Sequence, residues 1–401
     1  CWADGRSGTG GDIFAQHVSS TGTVLLLPGG IPVCTAVGDQ ENPQMISDGD
    51  GGAIITWEDS RSGTNEDVYA QHVSAEGLVQ WTQNGVGVCT TTEDQYNPHL
   101  AADGAGGAIV TWDDGRGDNG IYAQRLDSAG TAMWAAGGIA VCTAPESQGH
   151  QHIVDDGFGG CVITWEDQRN IASGADIYAQ RLDHDGAPQW TVDGIPFSNA
   201  DDFQQGPRII RSDADGIVIA WSSLYENRDI YAQKCDLDGT MLWQIDGVPV
   251  CTSEGTQYDV QLAPDGNGGA VLAWTFQGET GGIYAQRIRA GGEMVANEPE
   301  PGHDDIEVLP GTLAARIHPN PFNPSTTISF DMAAPGHITV SIVDLKGRMV
   351  ACFMDEFRGT GTHVVEWNGT SDDGRSQSSG TYLVKLQSGE RRTTALLTLV
   401  R

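Results

Sequence analysis

A chain of 401 residues has room for two or three domains, and 71 Gly and Pro beside abundant Val, Ile and Leu and 11 Trp describe a folded, turn-rich β protein rather than a disordered one. A formal net charge of −33 argues against a phosphate-binding role toward nucleic acid or anionic membranes, and no run approaches the roughly 20 apolar residues of a spanning helix. The charge is uneven: residues 1–312 carry 46 acidic and 12 basic side chains, residues 313–401 eight and nine, as expected of two domains with different surfaces. Such acidity suits divalent cations, high salt or simple solubility.

The first element recurs. Trp2, Trp57, Trp112, Trp165, Trp221 and Trp274 stand 53 to 56 residues apart, and each precedes an aromatic-Ala-Gln triplet ending in Gln16, Gln71, Gln124, Gln180, Gln233 or Gln286. A period of this length marks a supersecondary unit that buries its apolar face only by stacking on its neighbours. The chain opens inside a unit, so residues upstream of Cys1 are expected. Within residues 97–142, a strand over Asn97–Asp103 meets an Asp-Gly turn, and Ala108–Trp112 is apolar enough to be covered on both faces. A third strand over Ile121–Leu126 and a short fourth over Gly138–Cys142 complete the unit. Four antiparallel strands per repeat resemble a propeller blade, and the Asp-Gly-x-Gly-Gly turn is loosely similar to that of sialidase-type propellers. The expected fold is all-β: a β-propeller over 1–296, six blades favoured with five or seven as alternatives, and a linear β-array as the structural alternative.

Cys34, Cys89, Cys142 and Cys251 occupy equivalent places, with Ser198 substituting in the fourth repeat, and read as small buried hydrophobes. Cys235 and Cys251 lie on successive strands and are candidates for a cross-strand disulfide.

An acidic, Pro-containing linker is expected over 297–312. After it come His318-Pro319-Asn320-Pro321-Phe322-Asn323-Pro324, then Asp344-Leu345-Lys346-Gly347-Arg348, Glu366-Trp367-Asn368-Gly369 and Ser379-Gly380-Thr381-Tyr382. This order resembles the C-terminal sorting domain of type IX secretion substrates, similar to the immunoglobulin-like domain of flagellar hook-capping proteins. The resemblance spans 313–401 and rests on Asn320, Pro321, Asn323, Pro324, Gly347 and Gly380. It implies a small immunoglobulin-like β-sandwich, export across a bacterial outer membrane by dedicated machinery, and an extracellular or cell-surface location. Strand alternation independently supports about seven strands.

Three motifs invite chemistry. The acid-Asp-x-Arg element (Glu58-Asp59-Ser60-Arg61, Asp113-Asp114-Gly115-Arg116, Glu166-Asp167-Gln168-Arg169, and Asp4-Gly5-Arg6) has the groups for acid–base work, yet four copies favour a structural brace. Units five and six lose it, which marks a candidate binding face. The pairs Asp48 and Asp50, Asp183 and Asp185, Asp213 and Asp215, and Asp236 and Asp238 resemble the front half of a Ca²⁺ loop. They lack the closing Glu, so turn chemistry is preferred and Ca²⁺ stays a candidate ligand. His150 and His152 share one strand face, with His99 equivalent to His152, and read as exposed polar residues. The triplet Gln is expected to hydrogen-bond between strands or blades.

The favoured function is non-catalytic binding or assembly outside the cell, toward a glycan, a protein or further copies of the chain. One alternative is a fibre or sheath subunit assembled head to tail with the C-terminal domain retained. Another is a polysaccharide hydrolase or lyase, for which Glu226 is the most unusual acid.

Overall fold

The computed structural model describes residues 1–6, 8, 10–117, 119–170, 174–198, 200, 202–213, 216–224, 228–278, 281–294, 315–318, 325–332, 334–344, 348–372, 374–389 and 391–399. These are strands and turns, divided into two compact units, Cys1–Val295 and Ala296–Arg401.

The first unit is a succession of six antiparallel sheets. The first sheet holds β1 (Trp2–Asp4), β2 (Asp12–Ala15) and β3 (Ile31–Cys34). The second holds β4 (Gln40–Ser47), β5 (Ala53–Asp59), β6 (Asp67–Val73) and β7 (Val86–Cys89). The third runs β8 (Gln95–Ala102), β9 (Ala108–Asp114), β10 (Gly120–Leu126) and β11 (Ile139–Cys142). The fourth runs β12 (Gln148–Asp155), β13 (Cys161–Asp167), β14 (Asp176–Leu182) and β15 (Ile195–Ser198). In the fifth are β16 (Gln204–Arg211), β17 (Gly216–Ser223), β18 (Asp229–Asp236) and β19 (Val248–Cys251), and in the sixth β20 (Thr256–Pro264), β21 (Ala270–Gln277) and β22 (Gly282–Ile288). Strand order within each sheet follows the chain, and β4, β8, β12, β16 and β20 pack one on the next, as blades of a propeller do.

The apolar second strand explains the stacking. Ile54, Trp57, Ile109, Trp112, Ile163 and Trp165 are fully buried, and each shared core draws on two successive sheets. Ile54 and Val68 of the second sheet, for instance, pack with Val110 and Trp112 of the third. A single blade leaves that face exposed, so the repeats are stable only together.

Every complete first strand carries a bulge two to three residues from its start. Pairing slips between Glu41 and Gln44, Tyr96 and His99, Gly149 and His152, Gln205 and Arg208, and Tyr258 and Gln261. The extra residue takes a left-handed conformation in each: Asn42 (φ 50°), Asn97 (51°), His150 (54°), Gly206 (62°) and Asp259 (55°). Asn and Asp tolerate this region best among residues with a Cβ.

The second unit is a sandwich of two sheets. One orders β23 (Ala315–His318), β24 (Thr326–Met332) and β27 (Gly361–Trp367). The other orders β26 (Met349–Arg358), β25 (Gly336–Asp344), β28 (Gly380–Ser388) and β29 (Arg391–Leu399). Ile328, Phe330 and Trp367 of the first meet Ile338, Val340, Ile342, Val384, Leu386 and Leu397 of the second in one core.

Candidate binding site

The repeated Asp of the acid-Asp-x-Arg element organises the end of each second strand. Asp59 is fully buried and accepts from the Trp57 indole Nε1 (2.7 Å), the Arg61 backbone N (3.0 Å) and Arg61 Nε (2.8 Å). The Arg61 guanidinium lies 3.7 Å above the Tyr69 ring and donates from Nη2 to the Asn84 carbonyl (2.8 Å). Trp112, Asp114, Arg116 and Tyr122 repeat this arrangement, as do Trp165, Asp167, Arg169 and Tyr178. Asp4, Arg6 and Phe14 form the version in the first sheet, with Arg6 on the Gly29 carbonyl. The glycine after the acceptor carbonyl is required: at Gly85 (φ 89°) a Cβ would stand 2.5 Å from Trp57 Cη2 and 2.8 Å from the Ala70 carbonyl.

The acid one residue earlier has a different task, which the sequence reading missed. Glu58 accepts from Asn42 Nδ2 within its own blade (2.8 Å) and from the Asn97 backbone N of the next (2.6 Å). Asp113 likewise accepts from Asn97 Nδ2 (2.8 Å) and His150 N (3.4 Å), and Glu166 takes Gly206 N (2.7 Å) and pairs with His150 Nδ1 (3.1 Å). The left-handed bulge residues Asn97, His150 and Gly206 are therefore the preceding blade's hydrogen-bond partners. Between the third and fourth blades these groups border a cavity of about 220 Å³ lined by Tyr96, Asp113, His150 and Glu166. Burial pushes the Asp113 carboxyl up to about 6, and the Glu166 hydrogen bond raises the His150 imidazole above its usual value.

The bulge also changes the histidine reading. It removes His150 from the face of His152, whose ring instead lies against His99 with centroids 4.1 Å apart and planes tilted by 50°, and Arg208 Nη1 lies 2.7 Å from His152 Nε2. His99 and His152 are half-buried rather than exposed, and desolvation lowers both imidazoles, His99 to about 4.

The fifth and sixth blades depart from the repeat in different ways. In the sixth, Phe276 stands where Asp59 stands and packs edge-on against Tyr284 at 5.3 Å, filling the site. In the fifth, Ser223 replaces the Asp, Ser198 at the end of the fourth blade's β15 replaces the Cys that the preceding blade supplies, and Tyr225, which replaces the Arg in sequence, lies outside the described residues. A cavity of about 390 Å³ opens there, lined by Ser198, Asp202, Trp221, Ser223, Asp229 and Tyr231 among others. The Trp221–Tyr231 stack is kept, at 6.4 Å and 17°.

The triplet Gln works within its blade. Gln71 Nε2 donates to the Thr82 carbonyl (2.8 Å), and Oε1 accepts from His72 N (3.0 Å) and Trp81 N (2.9 Å); Gln124, Gln180 and Gln233 do the same. Gln286 accepts from Arg287 N. A further blade-to-blade tie is a second Trp that the sequence reading passed over: Trp81, Trp134, Trp190 and Trp243 donate from Nε1 to the carbonyls of Ser128, His184, Leu237 and Ala290 in the following blade. Their spacing of 53 to 56 residues was a signal equal to that of the first series.

Of the candidate Ca²⁺ carboxylates, Asp48, Asp183 and Asp236 serve as turn acceptors. Asp48 Oδ1 takes Asp50 N and Gly52 N, Asp183 takes Asp185 N and Ala187 N, and Asp236 takes Asp238 N and Thr240 N. Asp48 Oδ2 meets His72 Nε2 (2.8 Å), and Asp213 pairs with Lys234 Nζ (2.6 Å). Asp215 lies outside the described residues, and among those described no group of three or more His, Cys, Asp or Glu gathers as a metal site. The disulfide expectation is corrected: all eight cysteines are free, because Cys251 pairs with Ile230, five residues along β18 from Cys235. Five residues of strand span about 17 Å, far beyond disulfide reach. Cys34, Cys89 and Cys142 are buried beside the Arg–Asp pairs, while Cys251 is half-buried. Of the sorting-motif residues, Gly380 opens β28, whereas Asn320, Pro321, Asn323, Pro324 and Gly347 lie outside the described residues, as does Glu226.

Residues 316–399 match the family described as the secretion system C-terminal sorting domain. The chain thus carries a type IX export signal, works with that secretion machinery, and is located outside the cell or on its surface. No curated protein matches it in sequence. Similar solved structures include a PL25 ulvan lyase (9% identity, 72% of this chain and 75% of that one, TM-score 0.44) and an endo-arabinase from Bacteroides thetaiotaomicron VPI-5482 (13%, 61% and 93%, 0.34). A protein of unknown function from Dyadobacter fermentans DSM 18053 superposes similarly (9%, 73% and 90%, 0.45). The chemistry of those proteins is their own.

Proposed function

Given a chain exported by its C-terminal sorting domain, we propose that the propeller unit is a non-catalytic binding module of the cell exterior, with its ligand site in the fifth blade. The observation that carries this reading is the cavity at Trp221 and Tyr231, where the repeat's own Asp and Arg are replaced. In the second, third and fourth blades the same acids and arginines are spent on holding a loop and a neighbour, which makes them scaffold. A concave site with an aromatic wall and a few polar groups is the usual form of a binding pocket. The test is retention of extracellular glycans and proteins by the intact chain, compared with a variant carrying Ser223→Asp and Tyr225→Arg. Retention that is lost in the variant, without turnover, supports the reading; retention unchanged by the variant overturns it.

A second reading, polysaccharide hydrolysis or lysis, is favoured by one feature. Asp113, with its carboxyl near 6, shares a cavity with Glu166 and His150, a set suited to proton transfer near neutral pH. Cleavage of a polysaccharide that Asp113→Asn abolishes in a folded protein would establish it. Assembly into fibres is tested by electron microscopy of the intact chain: ordered filaments containing residues 313–401 support it, discrete particles reject it.

A further inference from the structure

We infer that Asp12 and the backbone carbonyls of Ala36 and Gly38 form a Ca²⁺ site, which ties the first blade to the β3–β4 connection leading into the second. The inference stands apart from the fifth-blade reading.

The starting point is a buried charge. Asp12 opens β2 with 0% of its surface exposed, and among the described residues neither of its carboxylate oxygens has a hydrogen-bond partner. Its cross-strand partner is another carboxylate, Asp4, whose charge Arg6 already meets. A buried carboxylate opposite a like charge is costly unless donors or a cation reach it. Sister blades supply a donor: Asp67 accepts from Asn65 Nδ2 (2.8 Å), and Asp176 accepts from Asn170 Nδ2 (2.9 Å). Asp176 is left with one unmet oxygen, Asp12 with two, and that sets the first blade apart.

The second blade shows where a cation would sit. Residues 2–12 and 57–67 are equal in length, as are the connections 34–40 and 89–95, so positions correspond one to one. Asn65 Nδ2 lies 2.8 Å from Asp67 Oδ1, 2.9 Å from the Thr91 carbonyl and 3.2 Å from the Glu93 carbonyl, so three oxygens converge on one point. The first blade repeats the frame around them. Gln40 N donates to the Gly11 carbonyl (2.7 Å) as Gln95 N does to that of Glu66 (2.8 Å). Gly11 N donates to Asp39 Oδ1 (2.8 Å) as Glu66 N does to Asp94 Oδ1 (2.9 Å). Gln40 Nε2 reaches the Gly38 carbonyl (3.1 Å) as Gln95 Nε2 reaches that of Glu93. The counterparts of the converging oxygens are therefore those of Asp12, Ala36 and Gly38. Gly10 stands where Asn65 stands and brings no amide; a Cβ there would lie 2.6 Å from the Gly38 carbonyl oxygen. Ser7 and Thr9 lie outside the described residues, but their counterparts Ser62 and Thr64 turn their hydroxyls to Asn65 and to each other rather than to Asp67.

The chemistry selects the ion. All the converging atoms are oxygens, a set for a hard cation rather than zinc or copper. Two carboxylate and two carbonyl oxygens leave the rest of a roughly six- to eight-fold Ca²⁺ shell to water. Mg²⁺ demands near-octahedral oxygens at about 2.0–2.1 Å, which carbonyls on a fixed backbone supply poorly. A single carboxylate carries the charge, so the affinity expected is that of extracellular modules, on the order of 10⁻⁴–10⁻³ M.

The experiment takes the intact chain, stripped with a chelator and held in about 150 mM KCl to screen the acidic surface. Ca²⁺ is titrated against Tb³⁺ luminescence sensitised by Trp2, whose Nε1 donates to Asp4 (3.1 Å), and hydrogen exchange is read in parallel on each sheet. At a Ca²⁺ concentration ten times Kd, exchange in β2 and β3 should slow about tenfold, with little change in the fourth and fifth sheets. Asp12→Asn should weaken Ca²⁺ binding by at least about tenfold, and Asp67→Asn by less than about twofold. Unchanged circular dichroism confirms that both variants are folded. Ca²⁺ binding indifferent to Asp12→Asn, as the acidic surface alone would give, overturns the inference, and so does equal protection by Mg²⁺ or Na⁺. Should Asp12→Asn not fold, the wild type decides: Ca²⁺-specific slowing confined to β2 and β3 supports the site, and slowing spread over all six sheets, or none, rejects it.

Discussion

Removing the Asp167 carboxylate is the sharpest perturbation of the scaffold. Asp167 is fully buried and accepts four hydrogen bonds from nitrogen, those of Trp165 Nε1 (2.7 Å) and of Arg169 N (3.0 Å), Nε (2.8 Å) and Nη2 (2.5 Å), and a longer one from Cys142 Sγ (3.8 Å). In Asp167→Ala the buried indole N–H loses its acceptor, a loss of about 1–3 kcal/mol. The guanidinium loses its counter-ion; breaking a buried pair costs about 3–5 kcal/mol. Arg169 is 19% exposed and retains the Asp193 carbonyl at 2.7 Å, so the sum falls short of additivity and about 3–4 kcal/mol is expected. Adding Arg169→Tyr, as in the fifth blade, removes the stranded cation and should return about 2 kcal/mol as coupling. Because a repeat array opens in pieces, the assay is hydrogen exchange read on β13 and β14 rather than a global melt. A change below about 1 kcal/mol in Asp167→Ala, or strict additivity in the double variant, would refute the claim that the carboxylate holds the unit together.

Other outcomes follow from the same geometry. Trp81→Phe, which removes the 3.0 Å bond from Nε1 to the Ser128 carbonyl of the next blade, should cost about 1 kcal/mol, and Trp81→Ala about 3–5, both read as faster exchange where the second and third blades meet. His99 and His152 are held neutral well below the unfolded value near 6.5, so the unfolded chain binds more protons and stability should fall as pH drops from 7 to 4, by on the order of 2 kcal/mol. Asp113 acts in the opposite sense: its raised carboxyl favours the fold as pH falls through 6, so Asp113→Asn should stabilise at pH 8 by about 1–3 kcal/mol and have little effect at pH 4. Denaturant melts across this range, on wild type and on the His99→Gln/His152→Gln and Asp113→Asn variants, separate the two. With no disulfide, a thiol reagent should modify exposed Cys352 rapidly in the native protein and all eight cysteines after unfolding; a count of six would restore the bridge.

The blades were legible because Trp57 and its counterparts sit on strands buried on both faces, where composition and period speak together. The C-terminal sandwich was legible from motif order. What escaped was set by single-residue register. The bulge at His150 exchanges the two faces of β12, so the imidazole assigned to one side with His152 points to Glu166 instead, and nothing in the local pattern announces a bulge. The same slip hid the division of labour between Glu58 and Asp59, adjacent acids that face a neighbouring blade and an internal loop. Strand β19 pairs by its first and last residues with Ala232 and Ile230, which carried Cys251 away from Cys235; the sequence showed two strands but not their offset. The fifth-blade substitutions were visible as a departure from the repeat, yet only the packing distinguishes a filled site at Phe276 from an open one at Ser223.

The most direct test of the account is one binding survey of the intact exported chain, spanning glycans and peptides, run beside the Ser223→Asp/Tyr225→Arg variant and beside Asp113→Asn. The account expects a ligand retained intact by the wild type and by Asp113→Asn and lost by the fifth-blade variant. Degradation of a polysaccharide that depends on Asp113, with the fifth-blade variant fully active, would contradict it.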